Sequence, residues 1–208
     1  MRTRTLFSNL GRLTLAATVL LLSSACGGEL LRTGRSPVYL VVTGIETEQG
    51  GGTAQASSFL LSDVRLADGS VFNDNVTVTL SVVPKNPTVA TTAINAVTLT
   101  RYRVIFRRAD GRNTPGVDVP YGFDGALNST ISAGSSQGVS FEIVRHQMKL
   151  EPPLKNLAGF NDAGARSISG LGFLSTIAEI TIWGRDQNGN EVTVTTSVDV
   201  HFADLADS

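Results

Sequence analysis

The chain has 208 residues, of which 41% are hydrophobic and 17% are charged, and its formal net charge is −1. This balance excludes the dense positive surface with which nucleic-acid-binding proteins hold phosphates, so we expect no nucleic-acid partner. Cys26 is the single cysteine, which excludes an internal disulfide and a zinc site built from several cysteines.

The first 25 residues have the three parts of a secretory signal peptide. Arg2, Arg4 and Arg12 give a basic start without an acid, residues 13–22 carry no charge, and small residues follow. A membrane-spanning helix needs roughly 20 apolar residues, and this run has about half of that. We therefore expect the segment to direct export and to be removed.

A cysteine follows the small residues directly. Leu22-Ser23-Ser24-Ala25-Cys26 resembles the lipobox of bacterial lipoproteins, in which the cysteine becomes the lipidated N-terminus of the mature chain. Ser23 stands where leucine is commonest in that family. The alternative is an ordinary signal peptide that is cut after Ala25 and leaves a free thiol on Cys26.

The resemblance to lipoproteins implies a membrane partner. Acyl chains on Cys26 would hold the protein on a bilayer, because two or more chains anchor stably. Residues 26–36 would be a short tether, rich in glycine and polar residues, before a domain over 37–208. Gly27 stands where aspartate would retain the protein at the inner membrane. We therefore expect a lipid-anchored protein of the cell envelope, at the outer membrane.

The mature part is long enough for one domain. Removal of residues 1–25 leaves 183 residues with eighteen acids and fourteen bases, a formal net charge of −4. Alternation of apolar and polar residues is its main signal and predicts strands. Val76, Val78, Leu80 and Val82 alternate with Thr and Ser, and Glu191–Phe202 shows the longest such run. The seven predicted strands are 38–45, 57–66, 75–83, 97–107, 139–146, 177–185 and 191–202.

Short strands separated by Gly, Pro, Asn and Asp clusters, with hardly any helix signal, predict a β-sandwich. We expect an all-β fold, a single antiparallel sandwich of about seven to nine strands. Residues 108–137 and 147–176 are too long to be structureless loops in a compact domain. We expect short strands within them, for example near Gly116–Val119 or Thr130–Ala133, and these loops are also candidate places for a binding site.

The last predicted hairpin carries a family resemblance. Ala178–Thr195 is similar to the closing strand pair of bacterial immunoglobulin-like domains, in which Asp-x-x-Gly-Asn forms the turn, here Asp186, Gly189 and Asn190. The resemblance implies an immunoglobulin-like or fibronectin-like sandwich. It implies no activity, because such folds carry many functions.

Gly134-Ser135-Ser136-Gln137-Gly138 matches the G-x-S-x-G motif of hydrolases, and Asp186 and His201 follow in the order of a catalytic triad. The motif requires a strand-to-helix turn, whereas a strand is predicted after it, so a flexible turn is the preferred interpretation. A calcium loop from Asp186, Asn188 and Asn190 is a second hypothesis. Its glycine falls fourth rather than sixth and the closing glutamate is missing, so an ordinary hairpin turn is preferred.

Three further groups admit a binding interpretation. His146 and His201 lie on polar faces of separate predicted strands, and two ligands are too few for zinc, so we expect solvated side chains. Arg101–Arg108 alternates basic and aromatic residues, which suits a polyanion or, more commonly, a charged outer strand face. Tyr102, Tyr121 and Trp183 are the candidate glycan-binding aromatics.

No residue set supports catalysis or a cofactor, so we expect a non-catalytic protein of the cell envelope that binds or scaffolds another component. Its partner would be an envelope protein or a glycan. The alternatives are a carbohydrate- or ligand-binding module and a hydrolase that uses Ser136.

Overall fold

A computed structural model describes residues 35–51, 57–159 and 172–205. The predicted signal peptide, Cys26 and most of the tether lie outside these residues. The described residues form the strands β1 (Val38–Glu48), β2 (Leu60–Asp63), β3 (Asp74–Pro84), β4 (Val97–Arg107), β5 (Phe123–Ile131), β6 (Ser136–Val144), β7 (Phe173–Asp186) and β8 (Glu191–Ala203). The short helical segments are the 3₁₀ turn η1 (Ala93–Asn95), the helix α1 (His146–Lys149) and the 3₁₀ turn η2 (Leu154–Leu157).

The strands form two sheets, which confirms the all-β sandwich. One sheet has the order β1-β3-β6 and the other the order β2-β8-β7-β4-β5. Buried residues of both sheets form one hydrophobic core between them. The expectation that every pair is antiparallel is wrong for β2, which pairs with β8 in parallel. This is sterically simple, because the two strands are far apart in the chain and need no hairpin between them.

Alternation in the sequence explains which side of each strand is buried. Val76, Val78, Leu80 and Val82 of β3 are fully buried, and the intervening threonines and serine are partly exposed. In β8 the predicted inward and outward sets are likewise observed. Side chains on successive strand residues point to opposite faces, so a strand with one face on the core must show this period of two.

A bulge in β4 changes the phase of its alternation. The register with β5 and β7 shifts between Leu99 and Arg101. Leu99 and Tyr102, three residues apart, therefore both face the core. Without the bulge the period of two would place Tyr102 on the outer face.

The two short strands that were expected within the segment 108–137 have different outcomes. The expected short strand at Thr130–Ala133 is the end of β5, which is nine residues long. The expected strand near Gly116–Val119 is a turn closed by an isolated bridge between Pro115 and Val119. In the second long segment the described residues hold α1 and η2, and residues 160–171 lie outside the described part.

Gly125 of β5 is required by the side chain opposite it. Its register partner is Tyr102, and a Cβ on Gly125 would lie 2.2 Å from the tyrosine ring. We expect Gly125→Ala to displace the buried Tyr102 and to destabilise the protein by about 1–3 kcal/mol in urea unfolding. Gly44→Ala is the matched control in β1, because its Cβ would meet Thr79 at an ordinary 3.6 Å. Equal stability of the two variants would contradict the proposed steric role.

The sandwich has two ends that matter for function. At one end, which we call the proximal end, β1 begins with Val38 and β3 ends with Pro84, and these two residues are register partners. The loop 85–96 joins this end of β3 to the start of β4, so both sheets contribute to it. The distal end is the one at which β3 begins with Asp74 and β6 ends with Val144, again register partners.

A buried ion pair joins elements at the distal end. Lys149 Nζ lies 3.0 Å from the carboxylate of Asp74, and their side chains are 1% and 0% exposed. The ammonium also donates to the carbonyl of Asp63 in β2 at 2.7 Å. Asp74 additionally accepts from Ser62 Oγ at 2.6 Å and from the backbone N–H of Gly50 at 2.9 Å. The network thus ties α1, β2 and β3 together where they meet.

Candidate functional site

A cleft of about 510 Å³ opens at the distal end. It lies where β5 begins, β6 ends and α1 follows. We call it the distal cleft. Its lining combines aromatic, charged and amide side chains: Asn73, Tyr121, Phe123, Glu142, Arg145, His146, Gln147 and Glu151, among others. This mixture of apolar surface and convergent polar groups is typical of ligand-binding sites.

Tyr121 is an exposed aromatic side chain that the loop holds in place. Its exposed fraction is 56%, yet its ring packs against Gly116. Glycine is required at position 116 for two reasons. A Cβ there would lie 2.4 Å from the tyrosine hydroxyl, and the residue has a φ of +76°. Backbone N–H groups of Val117 and Asp118 donate to the carbonyl of Thr114, which closes the turn. Tyr121 therefore presents a fixed aromatic face to the cleft.

Aromatic rings form the floor below the polar groups. Phe123 meets the buried Tyr102 edge to face with ring centroids 6.1 Å apart, and Tyr102 lies 4.2 Å from Phe141. The Arg145 guanidinium lies 4.1 Å from the centroid of Phe123. This stacking holds the arginine flat against the floor while its edges remain available for hydrogen bonds.

Arg145 is further fixed by two acceptors. Its Nη2 donates to the carbonyl of Asp124 at 3.0 Å, and its Nε donates to Glu142 at 3.3 Å. Its positive charge also acts on the hydroxyl of Tyr102. Burial raises the pKa of Tyr102, and the nearby Arg145 partly offsets this rise, so the phenol stays neutral at physiological pH.

A second polar chain connects β3 and β6 to α1. Asn73 donates through Nδ2 to Glu142 at 2.7 Å, which assigns its Oδ1 as the acceptor. That oxygen accepts the backbone N–H of His146 at 2.7 Å and lies 2.9 Å from Nδ1 of the same residue. His146 Nδ1 therefore carries a proton, and the ring is held at the cleft wall.

An exposed ion pair lies on the outer face of β4 and β5, beside the cleft but outside its lining. Arg103 donates to both oxygens of Asp124, at 2.7 and 2.8 Å. These hydrogen bonds, opposed in part by desolvation, lower the pKa of Asp124. The carboxylate next to the cleft is thus already occupied by a partner, and the cleft offers a ligand Tyr121 and the groups around His146 instead.

The structure does not bring the hydrolase triad together. Ser136 is the first residue of β6, in the three-stranded sheet, whereas Asp186 and His201 belong to the β7–β8 hairpin. His201 is the register partner of Ser175, so eleven residues of β7 separate it from Asp186, about 35 Å of strand. The G-x-S-x-G segment leads into a strand, as predicted, and forms a turn.

Both carboxylate oxygens of Asp186 accept hydrogen bonds within its own turn. Its Oδ1 accepts the backbone N–H groups of Asn188 and Asn190 at 3.0 and 2.9 Å, and Oδ2 accepts from the Asn190 side chain at 2.9 Å. Gly189 completes the turn with a φ of +80°. This is the hairpin turn that was preferred over a calcium loop. Within the described ranges, no three or more His, Cys, Asp or Glu residues are grouped to hold a metal ion.

The two histidines have separate surroundings. His201 is on β8 and its Nδ1 lies 2.9 Å from Ser175 Oγ. The prediction that His146 lies on a strand is wrong. β6 ends two residues earlier at Val144, and His146 begins α1. The turn at this point lets the backbone N–H of His146 reach Asn73 instead of continuing the sheet.

The basic face of Arg101–Arg108 is paired with acids and an aromatic ring. Arg107 lies 2.7 Å from Glu179, and Arg108 pairs with Asp110. Arg101 lies over the ring of Trp183 at 4.0 Å. These contacts are those of a charged outer strand face, and they leave Trp183 half-buried.

Of the three candidate aromatics, Tyr121 alone lines the distal cleft. Tyr102 is 4% exposed and belongs to the core below it. Sequence reasoning missed Arg145, Asn73 and Glu142 as site residues, because Asn73 is distant in the chain from the other two and only the fold brings it to them. Tyr121 within a long glycine-containing loop was the available signal.

Cys26, the predicted lipid-attachment residue, lies outside the described residues. Among the helices of the described part, none has the length and apolarity to cross a membrane.

Comparisons with known proteins identify no family. No protein-family model matches the chain. A search of curated proteins gave no match either. A solved structure, "X-ray structure of Northeast Structural Genomics Consortium target SoR45", is similar over 83% of this chain and 93% of that chain, with 10% sequence identity and a TM-score of 0.35.

Proposed function

We propose that the protein is an exported, non-catalytic lipoprotein of the cell envelope, anchored through Cys26, whose distal cleft binds another envelope component. The observation that carries this proposal is that the start of β1 and the distal cleft lie at opposite ends of the sandwich. β1 begins at the proximal end with Val38, and the cleft lies at the distal end, about 30 Å away along the strand. An anchor before β1 therefore attaches the domain at the end opposite the cleft.

The length of the tether supports this arrangement. Nine residues lead from Cys26 to Arg35, a reach of at most about 30 Å when fully extended. That reach keeps the proximal end near the membrane. With Gly27 after the cysteine, the outer membrane is the proposed location, on either its periplasmic or its outer face.

The proposal is tested by photo-cross-linking from the cleft in intact cells. A photoreactive amino acid at Gln147, an exposed residue of the cleft lining, should give a discrete adduct. The Tyr121→Ala change should weaken that adduct by about tenfold or more, as the loss of a central aromatic anchor does at other binding sites. Phe173→Ala is the matched control, since Phe173 is 65% exposed but does not line the cleft.

Two results would contradict a cleft partner. The first is an adduct from Gln147 that Tyr121→Ala and Phe173→Ala reduce equally. The second is the absence of any adduct that depends on the cleft.

A glycan is the second candidate for the cleft, and the position of Tyr121 favours it. Sugar rings stack their apolar faces on aromatic side chains, while their hydroxyls need paired donors and acceptors. Tyr121 supplies a rigid face, and Glu142, Glu151 and Asn73 line the same cleft. Titration with soluble peptidoglycan fragments should then show saturable binding that Tyr121→Ala removes and Phe173→Ala retains. A protein adduct without glycan binding would leave the protein partner as the ligand.

A further inference from the structure

The proximal end carries a surface of a different character from the distal cleft. The loop 85–96 begins beside the start of β1, where the backbone N–H of Lys85 donates to the carbonyl of Pro37 at 2.8 Å. At its other end, Ile94 accepts a backbone hydrogen bond from Gln187, in the turn between β7 and β8. The loop therefore spans the proximal end from one sheet to the other.

Large apolar side chains are exposed on this end. The proximal surface, as we name it, consists of Tyr39, Val41, Val83, Val89 and Ile94, which are 52%, 40%, 39%, 59% and 53% exposed. Tyr39 and Val83 are register partners on the outer face of β1 and β3. The ammonium of Lys85 lies 5.2 Å from the centroid of the Tyr39 ring.

The loops 84–96 and 108–122, one at each end, differ in charge. The segment 84–96 has one charged residue in thirteen, Lys85, and no acid. The distal end also exposes apolar side chains such as Tyr121 and Leu150, but the distal segment 108–122 has four charged residues in fifteen. Since charged groups resist removal from water, the proximal surface loses less hydration energy when it is covered.

We propose that the proximal surface lies on the headgroup region of the lipid bilayer. A tyrosine, aliphatic side chains and a lysine with a long apolar stem are the groups that settle at a membrane interface. A basic side chain near anionic lipid is favourable, by about 1 kcal/mol per basic residue. This docking rests on the proposed anchor at Cys26, whose tether of at most about 30 Å places the proximal end within reach of the surface.

Docking fixes the orientation of the domain. With the proximal surface on the lipid, the distal cleft lies away from the contact, about 30 Å further along the strands. A tether alone would let the domain turn freely and would leave the cleft on any side.

The experiment uses the intact lipoprotein reconstituted in vesicles of phosphatidylethanolamine and phosphatidylglycerol. Because Cys26 is the single cysteine and would be acylated, one introduced cysteine can carry a fluorophore. Val89→Cys reports on the proximal surface, and Tyr121→Cys is the matched control at the distal end. A nitroxide on the lipid headgroup should quench the fluorophore at residue 89 several-fold more than the one at residue 121. Dissolved iodide should show the opposite order.

The possible failures can be told apart. Acylated protein with equal lipid quenching at both positions overturns the docking and leaves the anchor intact. Shielding of residue 89 from iodide without lipid quenching shows that another protein chain covers the surface, and this also overturns it. Intact mass without acyl chains overturns the anchor, and the docking with it.

Discussion

Lys149→Met is expected to destabilise the protein by about 3–5 kcal/mol, because it leaves the carboxylate of Asp74 buried without its cation. Both side chains are fully enclosed at the distal end, so water cannot replace the ammonium. Lys155→Met is the matched control: the same change at an exposed lysine six residues on should stay within about 0.5 kcal/mol. Urea unfolding of the purified protein measures both.

The partner residue gives the second arm of this experiment. Asp74→Asn should also destabilise, since the Lys149 ammonium then keeps the carbonyl of Asp63 as an acceptor but loses its anion. The double variant removes both charges. Its loss should be smaller than the sum of the single losses, by about 0.5–3 kcal/mol. Additive losses would show that the pair contributes packing alone.

The pH dependence of Lys149→Met follows from the carboxyl group. Burial raises the pKa of Asp74, and the Lys149 charge opposes that rise, so removing the charge raises the pKa further. Between the unfolded value of about 3.9 and this raised value, the folded variant binds a proton that the unfolded chain does not. Stability from this group is therefore present at low pH and is lost as pH rises through the raised pKa. The deficit against the wild type should be smaller at about pH 5 than at about pH 7, and a deficit that grows toward acid would contradict the assignment.

Lys149 also shows where sequence reasoning reaches its limit. A lysine between polar residues ordinarily lies at the surface. It is buried here because β2 and β3, from distant parts of the chain, bring Asp63 and Asp74 around it. Nothing in the local pattern of residues 145–151 reports that arrangement.

The strands were largely predictable for a simple reason. A strand with one face on the core and the other in water must alternate, and β3 and β8 do so over their whole length. β5 escaped full prediction because it is the edge of its sheet and Ile131 is its one buried residue, so its sequence needs few apolar residues. In β4 the bulge after Leu99 moved Tyr102 inward, against its predicted role as an exposed binding residue.

Of the residues that line the distal cleft, sequence reasoning singled out Tyr121 as a binding candidate, but it did not predict the cleft itself. Tyr121 lies in a segment that was named as a candidate binding loop. Asn73, Glu142 and His146 reach it only through the pairing of β3 with β6 and the turn into α1. Such a site is a property of the tertiary structure, and its members have no common spacing in the chain.

The largest change in cellular behaviour is expected from Cys26→Ala. Metabolic labelling with a palmitate analogue should mark the wild type and leave the variant unlabelled. Two or more acyl chains, at about 0.8 kcal/mol for each buried CH₂ group, hold a protein on a bilayer almost completely. Without them, the proximal surface offers a few side chains and one lysine, so most of the variant should move from the membrane fraction to the soluble fraction.

A thiol-reactive maleimide separates the two interpretations of Cys26. If an ordinary signal peptide is cut after Ala25, the wild type carries a free thiol, reacts with the maleimide and takes up no palmitate analogue. If the lipobox resemblance holds, the wild type is labelled by the analogue and is inert to the maleimide, because its single cysteine is blocked.

Gly27 extends the same test to location. Gly27→Ala should keep both the label and the outer-membrane position, whereas Gly27→Asp, by the same resemblance, should keep the label and move the protein to the inner membrane. Labelling and location then vary independently, so a change at residue 27 that abolished labelling would show that it disturbs processing at Cys26. Retention of Gly27→Asp at the outer membrane would contradict the location inferred from Gly27 while leaving the anchor in place.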